Sequence, residues 1–316
     1  MLRTFAVCSL LAGLLYFALR NAPLADIWKT LKNLQPWQIF ILLGINIFIY
    51  VLITLRWWLI VRAENKGVSF LPLLAIRVSS FGISYFTLGP QVGGEPLQVL
   101  YLERVYGMTY TRATSTIVMD KLLEFLANFF LVSVGLTAFF QAGILSTTDG
   151  ISLLSLIGLV ILLLWPSTHI ILLYRSKYPV SAILRKFSNN KFVRFIAASE
   201  RLAGIFCRRH LPSLISAIFV SLLTAAGMVV EFFCITSFLG IRLSFWQTIA
   251  TWTAGWLAFL APLPGGLGVL EASQVLALGT FGVSAASAIG VTLLIRARDL
   301  LIGGLGLLIA GHKINK

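Results

Sequence analysis

The sequence predicts an all-α integral membrane protein of about six full transmembrane helices plus two re-entrant Pro-Gly-Gly helical hairpins in an inverted repeat. Three observations predict it. Of 316 residues, 58% are hydrophobic and only 11% charged, and mean hydropathy is +0.92; soluble domains carry about 25% charged residues. The apolar residues fall in runs of the ~20 residues needed to cross a bilayer. Two further apolar stretches are interrupted by similar Pro-Gly strings, GPQVGGEP at 89–96 and APLPGGLG at 261–268.

The elements follow in order. Residues 4–20 form a first span, short enough to pass for a signal peptide, but the membranous chain after it favours an uncleaved helix. The second span covers 37–61. Stretches 70–88 and 95–102 follow; the second, of about eight residues, is too short to cross, so the pair with the break between them reads as a hairpin that enters and leaves on one side. Spans follow at 113–140 and 151–173, then a polar stretch to Pro212, then a span at 213–239. Stretches 245–261 and 268–281 form the second hairpin, and 285–311 the last span.

The net charge of +14 reflects basic loops rather than nucleic-acid binding, because no fold for reading nucleic acid is present. Residues 174–212 hold nine Lys and Arg against Glu200 alone, which places that loop in the cytoplasm. The loop 141–150 has Asp149 and no base, which suits the outside. Both termini then lie inside, at the plasma (inner) membrane. Arg20, Lys29 and Lys32 in the external 20–36 segment run against this orientation.

The whole chain, 1–316, reads as one membrane domain: a first repeat at 36–140, a connecting span and basic loop at 141–212, and an inverted second repeat at 213–311. Pro90, Gly93 and Gly94 recur at the same mutual spacing in the second half, as Pro262, Gly265 and Gly266. Gly107, Lys121 and Glu124 recur likewise as Gly282, Arg296 and Asp299. The two halves run in opposite directions. Broken helices meeting near the midplane in inverted halves are the pattern of alternating-access transporters.

Two groups of residues carry chemistry. After each Gly-Gly a short helix begins, near Glu95 and near Leu267. Glycine allows close backbone approach, and free N–H groups at a helix start favour an anion. Gly93 and Gly94 on one side, and Pro264, Gly265, Gly266 and Gly268 on the other, therefore frame an anion site; the same glycines also suit a plain turn and tight packing. Intramembrane charges form the second group. Lys121 and Glu124 share one helix face, as do Arg296 and Asp299. Asp120 and Arg298 flank them, Glu231 and Arg77 lie at depth, and Glu271 follows Gly268. Charges at depth face a cavity or a partner. An ion-pair lock fits them, and so does headgroup binding or proton coupling. The basic loop mixes its charges with Phe187, Phe192, Phe195, Ile196 and Phe206, as a helix lying on anionic headgroups does. Cys8, Cys207 and Cys234, and His169, His210 and His312, show no metal or disulfide spacing. No nucleophile elbow, Walker loop or dinucleotide fingerprint is present. No cofactor is expected.

The string GGEPLQVLYLERVYGMTYTRATSTIVMDKLLEF resembles the first signature of the flippase-like family, the lysylphosphatidylglycerol synthase transmembrane region. Gly94, Glu95 and Pro96 match its Gly-Glu-Pro. Asp120, Lys121 and Glu124 stand where the family usually has Glu, Arg and Asp. PLPGGLGVLEA resembles the second signature through Pro264, Gly265, Gly266, Gly268 and Glu271, and Arg296 matches the basic residue of the final span. The resemblance covers about 4–311. It implies lipid translocation or lipid handling, but not the aminoacyl-transfer reaction of the synthases, since no soluble transferase domain follows before Lys316.

The expectation is a non-enzymatic multi-pass protein that moves a polar or anionic lipid between leaflets, with membrane lipids of anionic headgroup as partners. The alternative is a non-transporting membrane subunit that supports a lipid- or glycan-modifying enzyme. A glycosyltransferase is disfavoured, for want of a donor-binding domain and paired catalytic carboxylates.

Overall fold

The computed structural model describes residues 24–87, 93–141, 153–188, 190–261, 263 and 266–314, which form twelve helices and no strand. The predicted span at 4–20 lies outside the described residues, as do Pro90, Pro262, Pro264 and Gly265.

Helix α1 (Leu24–Lys32) carries Asp26 in its first turn and Lys29 and Lys32 in its last, the arrangement that complements the helix dipole. No helix was expected there. Helix α2 (Pro36–Glu64) starts with proline in its first turn, where a missing N–H costs nothing, and the Gln35 N–H donates to Gln38 Oε1 at 2.8 Å. Helix α3 (Phe70–Phe86) precedes the first Pro-Gly break. Helix α4 (Glu95–Tyr106) follows it and stops at Gly107, whose φ of +64° suits glycine. Helices α5 (Tyr110–Gln141) and α6 (Leu153–Tyr174) complete the first part.

The basic 174–212 segment is largely helical, as α7 (Pro179–Phe187) and α8 (Lys191–Arg209). Both are amphipathic, but α8 buries its apolar stripe against α5 and α6. Phe206 and Cys207 pack there with Met119, Leu123 and Leu173. Phe187 and Phe192 stay exposed, while Phe195 and Ile196 are half-buried. Buried Glu200 ties the group together. It accepts the Val180 and Ser181 N–H groups at 3.0 and 2.8 Å, capping α7, and lies 3.6 Å from His169 Nε2 of α6.

The second part repeats the element order of the first. Helix α9 (Leu211–Phe238) corresponds to α2, α10 (Phe245–Ala258) to α3, α11 (Val269–Gly279) to α4, and α12 (Ala285–Ile314) to α5. Helix α10 starts with a reciprocal cap: Ser244 Oγ accepts from the Gln247 N–H, and Gln247 Oε1 from the Ser244 N–H. Among the described residues, α2 and α9 are the helices both long and apolar enough to cross a membrane. Helices α5 and α12 are longer still, at 32 and 30 residues, but each carries a charged turn mid-way. Helices α4 and α11, of 12 and 11 residues, are too short to cross.

Packing exchanges elements between the halves. Helix α2 lies along α9, α3 packs on α12, and α10 packs on α5. Each half thus lends its short helix to the long helix of the other. Glycines permit the approach. A Cβ on Gly82 would sit 2.5 Å from the Gly303 carbonyl oxygen, one on Gly306 would sit 2.2 Å from that of Val78, and one on Gly135 would sit 2.2 Å from Thr253 Oγ1. In an apolar solvent, close backbone packing of this kind replaces the hydrophobic drive between helices.

Candidate functional site

The charged turns of α5 and α12 each anchor a buried polar cluster. In the first, Asp120 is wholly buried and accepts from Arg56 Nε of α2 and Arg77 Nη2 of α3, both at 2.7 Å. Glu124 lies 3.2 Å from Arg56 and 3.4 Å from Lys121. Lys121 also reaches Glu95 of α4 at 3.5 Å, and Arg77 donates to Gln98 Oε1 at 3.3 Å. In the second, Arg298 donates to Glu231 of α9 at 2.7 Å and to Asp299 at 2.8 Å. Asn46 Nδ2 of α2 donates to the other Glu231 oxygen at 2.8 Å. Arg296 pairs with Glu271 of α11. Each buried charge needs such a partner, since an unpaired one costs several kcal/mol.

The helix starts expected to bind an anion already hold a carboxylate of the chain. Glu95 Oε2 accepts the Gly93 N–H at 2.8 Å, and Glu271 Oε2 accepts the Gly268 N–H at 2.9 Å. The Gly94 N–H donates to Ser84 Oγ. Gly94 is also a packing residue, because a Cβ there would lie 2.1 Å from the Ser80 carbonyl oxygen. Gly266 (φ +61°) and Gly268 (φ +79°) adopt backbone that favours glycine, and Gly266 abuts the Phe259 ring.

A cavity of about 200 Å³ lies between the clusters and is walled by α2–α5 and α9–α12, all eight helices of the two halves. Glu95, Lys121, Glu124 and Asp299 of the predicted set line it, with Arg77, Glu231 and Arg298. Trp252, Trp256 and Phe259 form an aromatic wall. Glu271 and Arg296 pair outside this lining.

The expected pairings hold in part. Lys121 and Glu124 do meet, whereas Arg296 forms its ion pair with Glu271 and Asp299 forms its own with Arg298. Asp120 and Arg298, read as flanking residues, are the hubs of their clusters. Arg56, Asn46, Gln98 and Gln274 were not foreseen. A signal for two of them is present: Glu95 and Gln98 recur in the second half as Glu271 and Gln274, a Glu-x-x-Gln one turn long after each Gly-rich break. Arg56 of α2 and Glu231 of α9 stand at matching positions of the two halves, so equivalent positions carry opposite charges.

The profile described as the lysylphosphatidylglycerol synthase TM region matches residues 4–306. A UPF0104 membrane protein of Pyrococcus horikoshii is 28% identical, with 86% of each chain covered. No solved structure matches the chain significantly. A profile match over nearly the full length, a membrane-protein relative and apolar helices with a buried polar core agree: the chain is a membrane protein and belongs to the lysylphosphatidylglycerol synthase transmembrane-region family.

Proposed function

We propose that this protein is a lipid translocase of the plasma (inner) membrane that moves a polar-headgroup lipid between leaflets. The observation that carries the reading is the cavity. Charged groups at depth are expensive in a membrane protein, and here they wall a space shared by both halves of the chain. One wall is charged and another aromatic, which matches a headgroup entering from an apolar phase. At about 200 Å³ the space suits a headgroup rather than acyl chains. Lys121 and Arg298, with 22% and 25% of their side chains exposed, are the cations most open to an anionic group such as a lipid phosphate.

On this reading α3–α4 and α10–α11 are the two re-entrant hairpins, with six full spans around them, and both termini are cytoplasmic. The exchange of α3 and α10 between halves supports it, since rocking one half against the other would alter the cavity walls on both sides together. No cofactor or enzymatic step is invoked. The test is reconstitution into vesicles with acyl-labelled lipids. Faster leaflet exchange than in protein-free vesicles is expected, with loss in Lys121→Ala; exchange no faster than in empty vesicles overturns the reading.

One observation favours a second reading, a membrane subunit that supports a lipid- or glycan-modifying enzyme. Val180, Ile183 and Phe187 form an exposed apolar stripe on α7 beside Arg185 and Lys186. Such a stripe is a docking surface for a partner or for the membrane surface.

A further inference from the structure

The charges at depth do not balance. In the first cluster three cations, Arg56, Arg77 and Lys121, meet three carboxylates, Glu95, Asp120 and Glu124. In the second, two cations, Arg296 and Arg298, meet three carboxylates, Glu231, Glu271 and Asp299. The surplus falls on one residue. Glu271 has Arg296 and its own helix start. Glu231 has both oxygens engaged, one by Asn46 and one by Arg298. Asp299 has only a share of Arg298, at Oδ1, and among the described residues no hydrogen bond reaches its Oδ2.

Asp299 is more than nine-tenths buried and still open to the cavity. Its side chain keeps 6% of its surface, it belongs to the cavity wall, and Oδ2 is not one of the atoms that are both sealed and unpaired. The groups around it bring no second positive charge of their own. Tyr50 of α2 and Tyr85 of α3, which feel its charge, are neutral phenols. Arg77 of α3 serves Asp120 and Gln98, and Arg296 pairs with Glu271 of α11. Asp26, Lys29 and Lys32 of α1 are exposed. A surplus negative charge away from water is costly, and a carboxylate relieves it by taking up a proton. A metal ion needs several ligands, and among the described residues no group of three or more His, Cys, Asp or Glu could hold one. An anion is repelled by Asp299 and drawn to Arg298 beside it.

We infer that Asp299 is a proton-binding site of the cavity, loaded together with an anionic group at Arg298. An anion at Arg298 weakens that guanidinium's hold on Asp299. The carboxylate then takes one proton from water at Oδ2 and becomes a neutral carboxyl, so anion and proton enter with no net charge. The anion half of the inference rests on reading the cavity as a headgroup site; the proton half rests on the charge balance and the geometry.

The experiment uses the full-length protein in detergent, with melting temperature and infrared difference spectra followed against pH. Asp299→Asn removes the surplus charge at nearly constant shape, so near pH 8 it should melt at or above the parent. Asp120→Asn, in the balanced cluster, should melt lower. The advantage of Asp299→Asn should shrink toward about pH 5.5, where the parent has bound its proton and gained the stability that goes with it. Over the same range the parent should develop the C=O band of a protonated carboxyl, and Asp299→Asn should lack that band. A band that survives in Asp299→Asn, or an Asp299→Asn protein that melts well below the parent near pH 8, overturns the proposal. Stability that follows sodium concentration instead of pH overturns it in favour of a metal cation. The linkage is read by calorimetry with short-chain phosphatidylmethanol, whose phosphodiester does not titrate in this range, in two buffers of different ionisation enthalpy. Uptake of up to about one proton per bound lipid is expected in the parent and none in Asp299→Asn. Binding without proton uptake overturns the joint loading. No binding of this lipid, with the pH effects intact, would leave the proton site standing and sink the headgroup reading.

Discussion

Asp120 accepts from two guanidinium groups and has no exposed surface, so its removal strands Arg56 and Arg77 in a buried site. Asp120→Ala is expected to destabilise the protein by about 3–5 kcal/mol, the cost of an uncompensated buried charge. Poor insertion or a large drop in melting temperature in detergent would show it. Lys121→Ala differs in kind. Lys121 is partly exposed to the cavity and faces two carboxylates, so the variant should fold and be defective in lipid exchange. Exchanging Lys121→Glu with Glu124→Lys separates roles further, and full exchange activity in that double variant would mean that the pair is only a lock. Cys207 tests the interior of the connecting region. Burial in α8 pushes its thiol up to about 12, so almost no thiolate exists at pH 8. It should resist maleimide in the folded protein and react after denaturation; fast labelling of the native protein would mean that α8 does not pack on α5. Individual residues show how far the sequence could be read. The acids and bases at 120–124 and 296–299 stand out because charge is rare in apolar runs. Arg56 does not, because a lone arginine near a span end reads as snorkelling toward the interface, and its partner lies 64 residues away.

Helix contacts give sharper contrasts. A Cβ at Gly306 would lie 2.2 Å from a backbone oxygen of α3, whereas at Gly304 it would meet nothing within 4 Å. Gly306→Ala should cost about 1–3 kcal/mol by forcing α3 and α12 apart. Gly304→Ala should fall within about 0.5 kcal/mol of the parent. Equal effects would show that these two helices do not pack as described. Helix α7 depends on one side chain. Glu200→Ala removes the acceptor of two N–H groups at the α7 start, so trypsin should cut at Arg185 and Lys186 several times faster, while Glu200→Gln, which keeps one acceptor oxygen, should lie between. The elements themselves were legible, with boundaries near those read from hydropathy and from Pro and Gly. Helix α1 was not expected, and the 174–212 segment reads as a basic loop with at most a surface helix. Its charges mark it as a loop by composition, but nine and nineteen of its residues form α7 and α8, because α5 and α6 offer an apolar groove that covers one stripe of α8.

At the scale of the molecule, the inverted-repeat reading places the 188 region and the 284 region on opposite faces of the membrane. Single cysteines at the exposed positions Ser188 and Ser284 should therefore label from opposite sides in intact cells. Labelling of both from one side would overturn the two-hairpin topology while leaving the helix packing intact. The cavity belongs to this scale too, because no single half encloses it.

Sequence alone determined that this is an apolar helical membrane chain, that its second half repeats the element order of its first, and that charges recur at matched positions. Hydropathy, Gly-Pro punctuation and rare charges are local signals, and a linear reading captures them. The tertiary structure decided which charges pair. Within each half Arg77 reaches Asp120 and Glu231 reaches Arg298, between the halves Asn46 reaches Glu231, and Glu95 and Glu271 turn to their own helix starts instead of leaving them open to an anion. Pairing at depth is settled by distances of a few ångströms between residues far apart in the chain, and spacing along one helix cannot encode them.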